Sequence, residues 1–266
     1  MSARGPLGSI LSAPVPLPYL PAPVDGADWV MTWENIGTLR ASVDGSTSTW
    51  SSAEHADPAL VRKVRQGMAR AFLARLGGQP AFHAGGVAWG DRGVLLVGPS
   101  GGGKSTTVAA LCKRGASMLA DDAAVVVEKG GAPWLVPSED HHWLHPDARE
   151  SLDLELELGS KALAGKIPVR SSSAAPNAAR LVAIVSLRFA DAGPVHLESV
   201  VGAAAFAELL PALLRFVVDE PGVQRWETDR LAEMVAKVPC YLLHRRHGHG
   251  SLDEVSRLIR EIVELS

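Results

Sequence analysis

Cysteine is scarce: Cys112 and Cys240 are the only two in 266 residues. They stand far apart, giving neither a zinc-ligand spacing nor a disulfide framework, and a reducing compartment is expected. Basic excess is absent too. The net charge is −3 with a pI near 6.3, so no general positive field draws the chain to nucleic acid or to an acidic membrane. No apolar run is long enough to span a bilayer. The first 24 residues are apolar, but Pro6, Pro14, Pro16, Pro18, Pro21 and Pro23 interrupt them, which excludes the continuous helix of a secretory signal. The seven tryptophans lack interleaved basic residues and read as packing rather than as a nucleic-acid stacking platform. A cytoplasmic protein with no membrane or nucleic-acid partner is the expectation.

What remains is an ordinary globular composition, 47% hydrophobic and 21% charged. Residues 1–27 read as a Pro-stiffened extended arm. Residues 28–79 read as small strands followed by a helix. Asp57 can cap that helix, Pro58 suits its first position, and Leu60, Val64, Met68, Phe72 and Leu76 repeat every four residues up to Gly77-Gly78. Residues 80–266 read as the main α/β domain. Strands are expected over 82–88, 94–97, 117–120, 123–128, 181–187, 195–200 and 240–244. Helices are expected over 104–114, 203–218 and 223–237, with a last helix opened by a Ser251/Glu254 capping box. The alternation Leu152, Leu154, Leu156, Leu158 suggests a half-buried strand, and 160–180 a flexible loop.

One segment carries chemistry. Gly98-Pro99-Ser100-Gly101-Gly102-Gly103-Lys104-Ser105 matches G-x-x-x-x-G-K-[ST] at every fixed position, between an apolar strand and a helical pattern. Glycines allow a nest of inward-facing amides, and the following helix adds its positive end. Lys104 is placed to reach the β- and γ-phosphates, Ser105 to ligate Mg²⁺, and Thr106 to help with the α-phosphate. The expected ligand is Mg·ATP; no base-reading residues are evident, so GTP stays open. Asp121-Asp122 follows a short strand one helix later. Beside a Mg²⁺-triphosphate, one carboxylate can order the metal while its neighbour accepts a hydroxyl proton. His83 begins the strand that leads towards the loop.

Phe82-His83-Ala84-Gly85-Gly86-Val87, the loop from Gly98 to Ser105, Lys113-Arg114-Gly115 and Leu119-Ala120-Asp121-Asp122 together resemble the catalytic domain of HPr kinase/phosphorylase and its compact relatives. The resemblance spans roughly residues 80–128. It implies a P-loop core of the phosphoenolpyruvate-carboxykinase type, a mixed sheet with flanking helices, and ATP- and Mg²⁺-dependent phosphorylation of a serine hydroxyl on a protein or peptide. By position it assigns Asp121 and Asp122 as base and metal ligand, with Asp122 beside Ser105 at the metal and His83 as an orienting partner. The family's Glu-x-Arg-Gly signature is missing and its additional N-terminal domain has no room in this chain. HPr itself and the reverse reaction are therefore unassigned. Family members form hexamers, which leaves a homo-oligomer open. A nucleotide switch without phosphotransfer and a small-molecule kinase are the competing functions.

Other clusters are weaker. Asp140, His141, His142, His145 and Asp147 fit no common zinc spacing and suggest a solvated loop. His244, Arg245, Arg246, His247 and His249 form a basic stretch with two readings, surface solvation or phosphate contact. Lys161, Lys166 and Arg170 are candidates for a cation closing over the γ-phosphate, with Lys166 or Arg170 favoured.

Overall fold

The computed structural model describes residues 3–5, 28–43, 45–156, 162–216 and 221–266; most of the expected Pro-rich arm, together with Asp44, Leu158, Lys161 and Val218, lies outside them. Strands β1 (Ala3–Gly5), β2 (Trp29–Trp33), β3 (Gly37–Ala41) and β4 (Ser48–Ser52) form one sheet in that order, with β1 parallel to β2 and the rest antiparallel. Against it lies the helix expected at 58–76. The Asp57 carboxylate accepts the Ala59 N–H at 2.8 Å and starts α1 (Pro58–Val64). A π-helical stretch, Arg65–Ala69, then leads into α2 (Arg70–Leu76). Met31, Trp33 and Phe72 pack with Ala81, Ala123, Val125 and Phe216, so this apolar core crosses the position where the main domain was expected to begin.

The main sheet is mixed. β5 (Ala81–Phe82), β6 (Gly85–Trp89) and β7 (Arg92–Val97) precede α3 (Lys104–Lys113), and β8 (Ser117–Ala120), β9 (Ala124–Lys129) and β10 (Ala132–Val136) follow it. A separate two-stranded ribbon pairs β11 (His141–Leu144) with β12 (Ile167–Arg170), α4 (Pro146–Ser151) lying between them in sequence. The long β13 (Ala179–Phe189) leads to β14 (His196–Val200), α5 (Gly202–Leu209), α6 (Pro221–Lys237), β15 (Cys240–Arg245) and α7 (Leu252–Leu265). The order is β5-β9-β10-β13-β7-β6-β8, with β15 also on β13 and β14 on β15. β7 runs parallel to β13, and β13 parallel to β15. One edge of β13 serves β7; the other is divided, β10 pairing near Ala179 and β15 from Ile184 onward, which makes the sheet branch and curl. Among the described residues no helix is long and apolar enough to cross a membrane.

Several expectations need correction. The strand expected at 82–88 is broken at His83-Ala84, where the His83 N–H donates to the Ala212 carbonyl instead of a ladder partner. The 152–158 alternation is no strand within its described part: Leu152 closes α4 and packs in a small core with Val169 and Leu252, and 154–156 is irregular. The loop expected at 160–180 contains β12, and the His141/His142 segment is a buried strand rather than a solvated loop. The helix expected at 203–218 ends after Leu209 in a 3-10 turn, Leu210–Ala212. The capping box does not form. Ser251 sits at φ −97°, ψ 0°, outside the extended region that aims a capping hydroxyl at the helix, and its side chain makes no capping bond.

Candidate active site

The buried strand β7 delivers the chain to Gly98, and the turn that follows closes on α3. Gly98 and Gly103 show why the turn needs glycine. Gly98 has φ +143° and a Cβ there would stand 2.9 Å from the Leu187 carbonyl oxygen. Gly103 is left-handed at φ +82°, with a Cβ driven into the Arg245 guanidinium. Lys104, the first residue of α3, is buried; its ammonium donates to the Gly98 and Pro99 carbonyls at 3.0 and 3.2 Å. Burial lowers its pKa to about 8, with Asp122 and Asp121 pulling upward and Lys166 pushing further down. Ser105 and Thr106 are half-buried on the first turn, and Pro99, Ser100 and Gly101 are exposed.

At the end of β8 the two adjacent acids have different surroundings. Asp121 is 1% exposed. One of its oxygens accepts the Trp143 N–H at 3.0 Å, and the other lies 3.8 Å from His142 Nδ1, an ion pair too long to be a hydrogen bond. Asp122 keeps 34% of its side chain exposed and is gripped from both sides, by Lys63 Nζ at 3.0 Å and His83 Nδ1 at 3.0 Å. Burial opposes ionisation of Asp122, yet Lys63 and His83 outweigh it and hold the carboxyl well below the usual range. For Lys63, burial is outweighed by Asp122, Glu139 and Asp121, so its pKa is raised. His142 likewise overcomes burial through Asp121 and Cys112 and rises to about 9.

Two residues here were missed by sequence reasoning. Lys63 comes from α1 and lies 5.0 Å from the centre of the Trp143 ring. The Glu139 carboxylate shapes the acid turn, one oxygen accepting the N–H groups of Asp121, Asp122 and Ala123 at 2.8, 2.7 and 3.0 Å. Burial raises Glu139 to about 7, Lys63 opposing and the two aspartates adding to the rise.

Loop, acid pair and His83 therefore converge on one edge of the sheet. Lys166 is near enough to be felt by Lys104, whereas Arg170 is exposed on β12. His141 pairs with Asp140 at 2.8 Å, and among the described residues no cluster of three or more His, Cys, Asp or Glu side chains could hold a metal. In the basic stretch, His244 faces Glu198 and stacks on His196, Arg246 reaches the Gly193 carbonyl, and Arg245 turns inward against the loop.

No protein-family model matches the chain, and no curated protein matches it. Among solved structures, the HPr(Ser) kinase/phosphatase from Coxiella burnetii aligns over 68% of this chain and 88% of that one, with 14% identity and a TM-score of 0.36. A superposition this loose carries no argument, and the functional case rests on the site itself.

Proposed function

We propose that this chain is a Mg²⁺- and ATP-dependent kinase that transfers the γ-phosphoryl group to a hydroxyl, foremost a serine of a protein or peptide. The observation that carries the reading is the pairing of a buried, loop-anchored Lys104 with a single partly exposed carboxylate, Asp122, close enough to act on its charge. The loop amides and the start of α3 hold the β- and γ-phosphates. Lys104 exchanges its carbonyl partners for phosphate oxygens and neutralises charge as it moves to the leaving group. The acceptor oxygen attacks phosphorus, the bond to the β,γ-bridging oxygen breaks, ADP leaves, and the hydroxyl proton passes to Asp122. Lys63 and His83 keep that carboxylate ionised and aimed. Asp121, only 1% exposed, is too buried to meet an acceptor hydroxyl, and we assign it to positioning.

Mg²⁺, when bound, supplies charge neutralisation across the phosphate oxygens. Such an ion takes one or two protein ligands beside phosphate and water, so the Ser105 hydroxyl would hold it without a larger cluster, leaving Asp122 for the acceptor proton. The test is transfer of label from γ-labelled ATP to native serine peptides and proteins. Asp122→Asn is expected to lower transfer about 10²–10⁴-fold while ATP still binds. Brisk hydrolysis with no transfer to any acceptor, or undiminished transfer by Asp122→Asn, contradicts the proposal.

A further inference from the structure

We propose that the carboxyl ends of β13 and β15 form the nucleoside subsite of this protein, with Phe189 and His247 as a stacked platform for the base and Arg245 as the cation at its inner edge. The inference rests on the nucleotide reading above and adds where the rest of the ligand lies. β7, β13 and β15 run parallel, so the residues after Val97, Phe189 and Arg245 emerge on one edge of the sheet. The acid pair lies on the opposite flank of β7, reached through β6 and β8. A triphosphate with its terminal phosphate beside Asp122 therefore runs away from β8, across the loop, towards β13 and β15.

Arg245 waits there in an unusual state. It is 3% exposed, yet among the described residues no carboxylate pairs with it. Its guanidinium reaches the Gly102 carbonyl at 3.5 Å and the Gly248 carbonyl at 3.2 Å, and lies 4.7 Å from the centre of the Phe189 ring. Its Nε is buried with no hydrogen-bond partner. A buried cation facing only carbonyls and a ring is costly unless an electron-rich group completes its shell. The ribose oxygens and α-phosphate of a nucleotide provide one. Phe189 stands 3.9 Å from the position a Cβ would take on Gly103, placing the ring against the loop. His247 is exposed and lies nearly parallel on Phe189, ring centres 3.9 Å apart at 19°. With one ring face on Phe189 and the residue exposed, His247 leaves ring surface for a base, and every nucleobase has a π-face to lay on it.

The experiment titrates ATP and inorganic tripolyphosphate, each with Mg²⁺, into the wild-type chain, Phe189→Ala and His247→Ala, with thermal melting to confirm that each variant folds. Tripolyphosphate fills the loop but cannot reach the platform. Wild type is expected to bind ATP about tenfold or more tightly than tripolyphosphate, and both variants to shrink that gap while leaving tripolyphosphate affinity unchanged. Because His247 is exposed, its variant keeps the test open if Phe189→Ala fails to fold. A wild-type chain with no gap, or a gap untouched by the folded variants, overturns the subsite and leaves the nucleotide reading standing. A wild-type chain that binds neither probe overturns both.

Discussion

The glycine-rich loop after β7 and the acid corner after β8 lie to either side of β6, and they are built in opposite ways. The loop is local: one strand, eight consecutive residues and one helix provide the glycines, the amides and Lys104. The acid corner draws on distant segments. Lys63 comes from α1, His83 from the break before β6, the two aspartates from the end of β8, Glu139 from the approach to β11, and His142 and Trp143 from β11 itself. A local loop tolerates change elsewhere in the fold. A corner closed by side chains from five places depends on all of them, and it gives two neighbouring aspartates unlike roles.

That contrast can be sharpened by perturbing the corner while sparing the loop. The largest effect concerns stability. His142 has its folded pKa raised to about 9 against about 6.5 unfolded, so its contribution is fully present below pH 6.5 and lost as pH rises towards 9. The loss amounts to up to about 3 kcal/mol. Urea melts between pH 6 and 9.5 are expected to show this decline, and Asp121→Asn to flatten it while tripolyphosphate still binds. An equal slope in both proteins breaks the assignment of Asp121 to positioning.

A smaller, kinetic effect is expected from Lys63→Met. Without the ammonium, Asp122 loses its main charge partner and its pKa rises, so the acid limb of the transfer-rate profile moves to higher pH. At neutral pH the rate falls about tenfold, a loss of about 1.4 kcal/mol. Steady-state kinetics across pH 4–8 reads both. A lower rate with an unmoved acid limb means that Lys63 acts only through packing on Trp143.

How much could be read from the sequence follows the same division. The loop, α3 and the Asp57 cap were legible because their signals lie within a turn or two of one another. Lys63, Glu139 and Arg245 were not, since only the tertiary packing of distant segments brings them to the site; Arg245 was noticed as one of two readings of a basic stretch. The alternating leucines after residue 151 misled because a period of two shows faces, not whether a partner edge exists. His141 and His142 misled in the other direction. Polar residues suggested solvent, but Asp121 and Asp140 supply the charges that let those imidazoles be buried. The break at His83 also left no pattern, although it is what frees that imidazole to reach Asp122.

Calorimetry with saturating Mg²⁺ tests the central claim most directly. ATP or GTP titrated into the wild-type chain is expected to give saturable heat at one site, and Lys104→Ala to bind at least about tenfold more weakly, as loss of a charged phosphate contact implies. No heat with either triphosphate, or equal affinity for the Lys104→Ala chain, contradicts the account.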